Sequence, residues 1–511
     1  MAVPEHAPSE RAVTVLPGLA SRRARRWVAF SLGVLLPLAF APFGIYPVAP
    51  LCLAGLFLLW EGETPRAAAG QAFWFGFGAY LVGLHWLYIS LHTFGKAPLF
   101  VSLPLMLGLI AVLSGYLAAL AWTVNRLGAR GLVRWIVLLP AAWTLVEWLR
   151  GWVLGGFPWL SLGYSQIDSP LSGLAPVAGV YALSFVVAAN GGAIVAVFRG
   201  GVRQRVVAVA VAAMSWLACG ALRGVVWTDP SGEPVSVALV QGGITQDRKW
   251  LPEELKPTKT LYQKLTDEHL DADLIIWPEA AVPQLLDEMG DYLAPILELV
   301  HAHGHSIMFG VVEYDAATNS FYNSVLGYDG DFSRYRKRHL VPFGEFFPVP
   351  AFVRNWLRLM SLPYSDFAHG DPAQPPLAIG GEHIGMSICY EDAFGAELIG
   401  VLDRATLLAN VSNDAWFGGS VAPHQHLQIG RMRALEAGRD LMRTTNTGIT
   451  AIIGANGKVE KEIPQFDPAV LTGRVQPRTG LTPYARFGNW PVVLGALTAL
   501  GLAAALARRR S

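Results

Sequence analysis

Long apolar segments limit what this chain can fold into more than any other feature of its sequence. A helix that crosses the hydrocarbon core of a bilayer needs roughly 20 mainly apolar residues. Such segments fill the first 225 or so residues and recur near the C-terminus. Charged residues make up only 15% of the chain, whereas soluble domains average about 25%. We predict eight membrane spans, at 27–44, 47–61, 68–91, 98–124, 135–149, 172–198, 205–222 and 488–507.

Arginine clusters in the short connections predict the orientation of these spans, because Lys and Arg are enriched in cytoplasmic loops. Clusters precede the first span, separate the fourth from the fifth and the sixth from the seventh, and end the chain, and a single arginine, Arg66, separates the second from the third. With eight spans they all fall on one side. Both termini are then expected in the cytoplasm, and the large segment after the seventh span outside it. The net charge of +1 gives no argument for nucleic-acid binding.

The composition divides the chain into four segments. We predict a cytoplasmic tail at 1–26, a seven-helix membrane domain at 27–226, a polar domain at 227–485, and a last span with a basic tail at 486–511. No small-residue cleavage site follows the first apolar segment, so we interpret that segment as an anchor rather than a cleaved signal.

The polar domain alternates short apolar runs with helical patterns, which is typical of a layered α/β sandwich. Two-residue hairpin turns are predicted at Asp329-Gly330 and Asn456-Gly457. Strands are predicted at 235–240, 274–277, 306–312, 324–328, 383–388 and 407–411, and helices at 283–303 and 424–440.

Three residues of this domain carry the strongest chemical signal. Cys389 follows a predicted strand and has polar neighbours, whereas the other two cysteines, Cys52 and Cys219, lie in apolar stretches. Glu279 follows another buried strand at its carboxyl end, and Lys337 lies in a basic run. Each residue alone is more typical of a buried thiol or a solvated charge. Together they supply a nucleophile, a general base and a cation for an oxyanion.

Several motifs resemble those of known families. The segments around Glu279, Lys337 and Cys389 resemble the Glu-Lys-Cys signatures of the carbon–nitrogen hydrolase (nitrilase) superfamily. From about residue 25 onward, the whole chain resembles the apolipoprotein N-acyltransferases. The longer motifs that carry this resemblance are 147–151, 156–159, 339–345 and 413–417. The fold that the resemblance implies is a polytopic helical membrane domain with an extramembrane, nitrilase-like α-β-β-α sandwich.

The resemblance also implies a two-step acyl transfer in the bacterial inner membrane, with the catalytic domain in the periplasm. Cys389 takes an acyl chain from a phospholipid, with phosphatidylethanolamine the expected donor, and holds it as a thioester. The chain then passes to the α-amino group of the S-diacylglyceryl cysteine at the N-terminus of an apolipoprotein, the last step of lipoprotein maturation. Glu279 acts as base and Lys337 stabilises the oxyanions. Residues expected to support the site or bind substrate are Glu345, Trp250, Tyr390, Glu391, Trp416 and Phe417.

No metal or organic cofactor is expected, and we expect a monomer. The apolar segment 346–367 fits an entrance flap that would place Phe352 and Trp356 near the membrane surface, and packing inside the domain is the alternative. Two other functions stay open. A membrane-anchored amidase or nitrilase could use the same three residues with water as acceptor, although it would need only one span. A transporter or receptor is the other, although ionisable residues within the spans are scarce.

Overall fold

The structure, a computed structural model, describes residues 21–342, 344–346 and 367–508. Helices connected by short 3-10 and π-helical turns form the N-terminal half, and one further helix ends the chain. The bounds of these helices are α1 Arg22–Leu35, α2 Val48–Leu59, α3 Pro65–Gly83, α4 Trp86–Tyr88, α5 Leu99–Leu127, α6 Gly131–Val133, α7 Leu139–Arg150, α8 Ala175–Arg199, α9 Val202–Leu222 and, at the end, α16 Trp490–Arg508.

Four helical segments are long and apolar enough to cross a membrane: Leu99–Leu127, Gly131–Arg150, Pro170–Arg199 and Val202–Leu222. A fifth is added if Pro65–Gly83 and Trp86–Phe94, which meet at 57°, form one broken span. The chain therefore has the apolar helices of a membrane protein. Within the described residues these helices supply four or five candidate spans, so eight spans, and the orientation that depends on that count, stay predictions.

The remaining predicted spans coincide with shorter helices. In the segment 27–44, α1 ends at Leu35 and a 3-10 turn, Leu36–Ala39, follows. Pro37 lies in that turn and has no backbone N–H to continue an α-helix. In the segment 47–61, α2 has 12 residues, about 18 Å at 1.5 Å per residue, which is shorter than the hydrocarbon core of a bilayer.

The polar segment folds into two six-stranded sheets and a small two-stranded one. The strands are β1 Asp229–Pro230, β2 Val235–Gln241, β3 Leu274–Ile276, β4 Ser306–Asp315, β5 Ser320–Tyr328, β6 Phe332–Arg336, β7 Leu377–Ile379, β8 Glu382–Ile388, β9 Leu407–Ser412, β10 Leu441–Thr445, β11 Ala451–Ile453, β12 Val459–Glu462, β13 Ala469–Val475 and β14 Arg478–Thr479. The helices are α10 Gln246–Lys249, α11 Pro252–Asp267, α12 Gly290–Ala302, α13 Gly395–Leu398, α14 Ala422–Ala437 and α15 Pro483–Phe487.

One large sheet has the order β12-β11-β10-β9-β8-β7 and the other β13-β2-β3-β4-β5-β6. Apolar residues from both sheets, such as Ile276 and Met386, form one buried cluster between them. Helices α11 and α12 cover the outer face of the second sheet, and α14 covers that of the first. This arrangement confirms the predicted nitrilase-like α-β-β-α sandwich. The central strands of each sheet are parallel, so their carboxyl ends meet at one edge.

The six predicted strands are present, with strand ends shifted by a few residues. Hairpins form at both predicted turns, but their connections have three residues (329–331) and five residues (454–458) instead of two. The predicted helix 283–303 is wrong at its start, because α12 begins at Gly290. The residues before it run beside β4: Ala281 donates its N–H to the carbonyl of Gly310, and Leu285 bridges Val312. The predicted helix 424–440 spans 422–437, and Gly438 ends it with φ +63°.

Helix α14 also packs against the membrane domain, and most of its side chains are buried. Gln425 accepts a hydrogen bond from the Trp159 indole at 2.7 Å, and Arg431 forms an ion pair with Asp168. Glu436 accepts from the backbone N–H of Val180 at 2.7 Å. That N–H follows Gly179, whose φ of +75° interrupts helix α8. A carboxylate of the sandwich domain thus pairs with a backbone group beside the break in a membrane helix.

Candidate active site

Glu279, Lys337 and Glu345 meet at the carboxyl edge of the second sheet. Lys337 is 1% exposed, and its Nζ lies 2.9 Å from Oε1 of Glu345 and 3.5 Å from Oε1 of Glu279. Asn323 of β5 donates to both carboxylates, at 2.7 Å and 3.0 Å. The backbone N–H of Asn413, which follows β9, donates to the second oxygen of Glu279 at 2.8 Å. Hydrogen bonds from both sheets therefore hold the carboxylate of Glu279 in place.

Cys389 follows β8 directly, and the geometry of its turn is strained. Its φ is +52°, a left-handed conformation that costs a residue other than glycine about 1–2 kcal/mol. Burial raises the pKa of its thiol well above the usual value, and the charge of Glu279 raises it further. Lys337 and a hydrogen bond from Ser412 lower this pKa without reversing the net increase. The arrangement therefore favours the neutral thiol over a standing thiolate.

The charges of the cluster support this conclusion. Burial would lower the pKa of Lys337, but the carboxylates of Glu345 and Glu279 raise it above the usual value, so the ammonium stays charged. Two carboxylates and one ammonium sum to one negative charge. Moving the proton of Cys389 to Glu279 keeps that sum unchanged, whereas releasing it to solvent would add a second negative charge to a buried site.

Glu391 connects the loops that carry Lys337 and Cys389. Its carboxylate is buried and accepts three backbone N–H groups, from Arg338 at 2.8 Å, His339 at 3.0 Å and Ile388 at 2.7 Å. The hydroxyl of Tyr335 donates a fourth hydrogen bond at 3.0 Å. Burial raises the pKa of Glu391, and these N–H groups and Lys337 oppose the increase. Two of the N–H groups belong to neighbours of Lys337 and Cys389, so Glu391 holds the two loops together.

Tyr390 turns away from this cluster toward the membrane domain. Its hydroxyl donates to the carbonyl of Gly156 at 3.1 Å, and its ring stacks with that of Trp159 at 6.3 Å. Nearby, His339 makes a hydrogen bond of 2.8 Å with the carbonyl of Gly155. The turn that carries Cys389 therefore lies against a loop of the membrane domain.

The predicted aromatic residues occupy different surroundings. Trp416 is 37% exposed, and its carbonyl accepts a hydrogen bond from Ser90 at 2.9 Å. Phe417 packs edge-to-face on Trp86 of the membrane domain at 4.8 Å. Trp250 is 55% exposed and follows the short helix α10. Both Trp416 and Phe417 thus border the membrane domain, whereas Trp250 presents its side chain to the outside of the protein.

Most of the predicted flap, including Phe352 and Trp356, lies outside the described residues. Its first and last residues, Phe346 and Phe367, are described. The backbone of Phe367 bridges Phe321 of β5, and its N–H donates to the carbonyl of Glu345.

Sequence reasoning missed two side chains that contact Glu279. One is Asn323, an amide near the start of β5. The other is Lys249, which is buried and donates to the backbone carbonyl of Glu279 at 3.2 Å. Burial lowers the pKa of Lys249 to about 8, although Glu279 opposes the decrease. In the sequence, the only signal for Lys249 was its position next to Trp250.

Sequence reasoning also missed a group of four buried charges beneath Cys389: Asp392, Asp414, His426 and Arg443. Arg443 forms ion pairs with Asp392 at 3.1 Å and Asp414 at 3.0 Å. His426 lies between the same carboxylates, 3.0 Å from Asp392 and 2.9 Å from Asp414. A charged residue in the middle of a strand pattern, Arg443, was the available signal. Among the residues that the structure describes, no cluster of three or more His, Cys, Asp or Glu could hold a metal ion.

Comparison with known proteins agrees with the resemblance found in the sequence. Residues 32–193 match the apolipoprotein N-acyltransferase N-terminal domain, and residues 236–484 match the carbon–nitrogen hydrolase family. The apolipoprotein N-acyltransferase of Methylococcus capsulatus is 41% identical over 95% of this chain and 96% of its own length. That of Chromobacterium violaceum is 43% identical over 92% of both chains.

Among solved structures, a carbon–nitrogen hydrolase from Helicobacter pylori G27 is similar to the sandwich domain. The similarity has a TM-score of 0.35 and 16% identity, and it covers 51% of this chain and 94% of that one. The two family matches cover most of the chain, and the named relatives match nearly all of it. The chain belongs to the apolipoprotein N-acyltransferase family.

Proposed function

We propose that this protein transfers an acyl chain from a phospholipid to the free α-amino group of a diacylglyceryl-modified apolipoprotein, through a thioester on Cys389. The observation that carries the proposal is the buried cluster of Glu279, Lys337 and Glu345 in the same site as a thiol that lies beside the membrane domain. The names of the relatives support lipoprotein N-acylation. The thioester, the phospholipid donor and the roles of individual residues are part of this proposal.

In the first step, Glu279 accepts the proton of the Cys389 thiol as sulfur attacks the ester carbonyl of the phospholipid. Lys337 stabilises the oxyanion that forms, a contribution typically worth 10²–10³ in rate. The C–O bond of the ester then breaks, and Glu279 returns its proton to the departing alkoxide. The products are a lysophospholipid and an acyl thioester on Cys389.

In the second step, the α-amino group of the acceptor attacks the thioester carbonyl. Glu279 takes a proton from the amine, Lys337 again stabilises the oxyanion, and the C–S bond breaks. The proton on Glu279 passes to the leaving sulfur and restores the thiol. An amide is more stable than a thioester, so this step is downhill. Glu345 takes part in neither proton transfer; through its ion pair it holds the ammonium of Lys337 in position.

The position of the site supports a lipid donor. Each methylene of an acyl chain exposed to water costs about 0.8 kcal/mol, so a soluble site would bind such a chain poorly. Here the Cys389 turn touches the loop at Gly156, and the adjacent loop at Phe417 packs on Trp86. We propose that the acyl chain enters along this boundary, from the outer leaflet of the inner membrane.

Mass spectrometry of the Cys389 peptide tests the first step. The purified full-length protein is incubated with a phospholipid whose acyl chain carries an isotope label, without any acceptor. We expect the label on Cys389 as a thioester that hydroxylamine removes. Cys52→Ala, which changes a buried thiol in the membrane domain, is the matched control and should acylate normally. Cys389→Ala should carry no label, and Lys337→Ala should acquire it at least 100-fold more slowly.

A second stage separates transfer from hydrolysis. A diacylglyceryl-cysteine peptide with a free amino terminus is added to the labelled enzyme, and an N-acetylated copy serves as control. Label in an amide on the free peptide alone supports the proposal. Label released as free fatty acid at the same rate with either peptide would instead support the hydrolase alternative. Transfer by Cys389→Ala would refute the thioester mechanism.

A further inference from the structure

We propose that His426 is a positioning residue for the nucleophile: its Nε2–H holds the backbone carbonyl of Cys389 and so fixes the turn that presents the thiol. This inference rests on the proposed role of Cys389 as nucleophile. His426 is not in contact with the reacting atoms. It lies on helix α14, within the buried group formed with Asp392, Asp414 and Arg443.

The Cys389 carbonyl needs such support, because the residue has a left-handed backbone with φ +52°. A strained backbone conformation persists only where several contacts with the surrounding structure hold it in place. Two side chains donate to this carbonyl: Nε2 of His426 at 3.1 Å and Nδ2 of Asn410 at 3.2 Å. Both donors are buried, so water does not compete for the oxygen. The two hydrogen bonds fix the peptide plane directly after the reacting residue.

The contacts of His426 define its protonation state. Nδ1 faces Oδ1 of Asp414 at 2.9 Å, and Nε2 faces Oδ1 of Asp392 at 3.0 Å together with the Cys389 carbonyl. All three partners are acceptors, so both ring nitrogens must carry hydrogen, which makes the ring an imidazolium. Two carboxylates, the imidazolium and the guanidinium of Arg443 then sum to zero charge. A neutral sum offsets much of the cost of burying these four charges.

Arg443 holds both donors to the Cys389 carbonyl in place, Asn410 directly and His426 through two carboxylates. Ser387, Asn410 and Arg443 lie in one row across β8, β9 and β10. Arg443 donates to Oδ1 of Asn410 at 2.8 Å and so orients the amide that donates to Cys389. It also holds the two carboxylates that flank His426. Residues of three strands and of helix α14 therefore fix the position of one peptide group, the one after Cys389.

Two substitutions at His426 separate positioning from ordinary core stability. The amide nitrogen of Asn can occupy the place of Nδ1 and keep the contact with Asp414. The amide nitrogen of Gln can occupy the place of Nε2 and keep the donor to Cys389. Both remove the imidazolium charge, so both should lower the unfolding temperature to a similar extent. Only the His426→Asn change removes the hydrogen bond to the nucleophile turn.

The readouts are the rate of thioester formation from labelled phospholipid and the rate of alkylation of Cys389 by iodoacetamide, followed on its peptide. We expect His426→Gln to keep both rates within tenfold of wild type, and His426→Asn to be a further 10- to 100-fold slower. The matched control is His424→Gln, two residues away on the same helix, which should leave both rates unchanged. Because alkylation needs no phospholipid, it tests the inference even if the proposed acyl donor is wrong.

Equal rates for the Asn and Gln variants, or faster reaction of the Asn variant, would overturn the proposal. If His426→Asn does not fold, His426→Leu, which also lacks the donor, takes its place, and the unfolding temperature of each variant is measured in parallel. A Gln variant within tenfold of wild type and a Leu variant 10- to 100-fold slower than the Gln variant then support positioning by the Nε2 donor. A loss of more than tenfold in a folded Gln variant would mean that the imidazolium charge matters and the donor does not.

Discussion

Replacement of Glu391 by Gln should slow acylation although the Glu391 carboxylate bonds to backbone N–H groups and the Tyr335 hydroxyl and not to the thiol. The carboxylate accepts four hydrogen bonds, and an amide has only one oxygen. With that oxygen toward Arg338 and His339, the amide nitrogen faces Tyr335 and Ile388. The Tyr335 hydroxyl can rotate and accept, but the N–H of Ile388 loses its acceptor.

The magnitude follows from this single loss. A buried donor left without a partner costs about 1–3 kcal/mol. Gln also avoids the burial of a charge, which offsets part of the weaker hydrogen bonding of a neutral acceptor. We therefore expect a net cost of about 2 kcal/mol. If it falls entirely on the alignment of Cys389 with Lys337, thioester formation slows about 30-fold, at 1.36 kcal/mol per factor of ten.

The assay is the rate of label transfer to Cys389 from phospholipid, with the unfolding temperature measured on the same sample. Glu397→Gln is the matched control, because Glu397 contacts the side chains of the same loop, those of Arg338 and His339, and is one third exposed. Such pairs contribute about 0–1 kcal/mol, so this variant should acylate within about fivefold of wild type. A Glu391→Gln enzyme at the wild-type rate, or an equally slow Glu397→Gln enzyme, would refute the reasoning.

Three further predictions concern other parts of the molecule. Glu279→Gln should reduce thioester formation by about 10²–10⁴, and normal thioester accumulation would show that the base is assigned wrongly. Gly179→Ala should lower the free energy of unfolding by at least about 1 kcal/mol, because φ is +75° and a Cβ would lie 2.3 Å from the Tyr484 ring; Gly115→Ala, which meets open space, should not. Burial and Arg443 lower the pKa of His426, but Asp392 and Asp414 raise it to about 9 overall. The stabilisation that the protonated His426 ring gives the fold is therefore full below about pH 6.5 and is lost as pH rises through about 9. The unfolding temperature should therefore fall over that interval, and a His426→Gln enzyme that falls equally would contradict the assignment.

The sequence predicted those features that depend on neighbouring residues. Apolar runs of strand length marked β3 and β8, and the residues just after them, Glu279 and Cys389, could be placed at one edge of the fold because parallel strands end together. Asp329-Gly330 identified a hairpin without reference to the rest of the fold. In each case a few residues in sequence contain the physical cause.

Features that depend on distant partners were not predicted. His426 looks like one polar residue of a charged helix, and Arg443 like an interruption of a strand. Their function appears only when the helix and three strands bring them beneath Cys389. The number of spans stays a prediction, and the fold shows that α1 ends at Leu35, before Pro37. Trp250 was expected near the site, and only the fold shows that its side chain is half exposed while Lys249 beside it turns inward.

Helix α14 has a consequence for how this protein can be prepared. It supports the Cys389 turn through His426, and the same 16 residues pair with the membrane domain through Gln425, Arg431 and Glu436. A soluble fragment cut at the ends of the sandwich would leave the carboxylate of Glu436 without the backbone N–H of Val180. Water would then reach the helix on which the nucleophile depends. Truncation would thus alter the reactivity of the Cys389 thiol. Kinetics and inhibitor screening should therefore use the full chain in lipid or detergent.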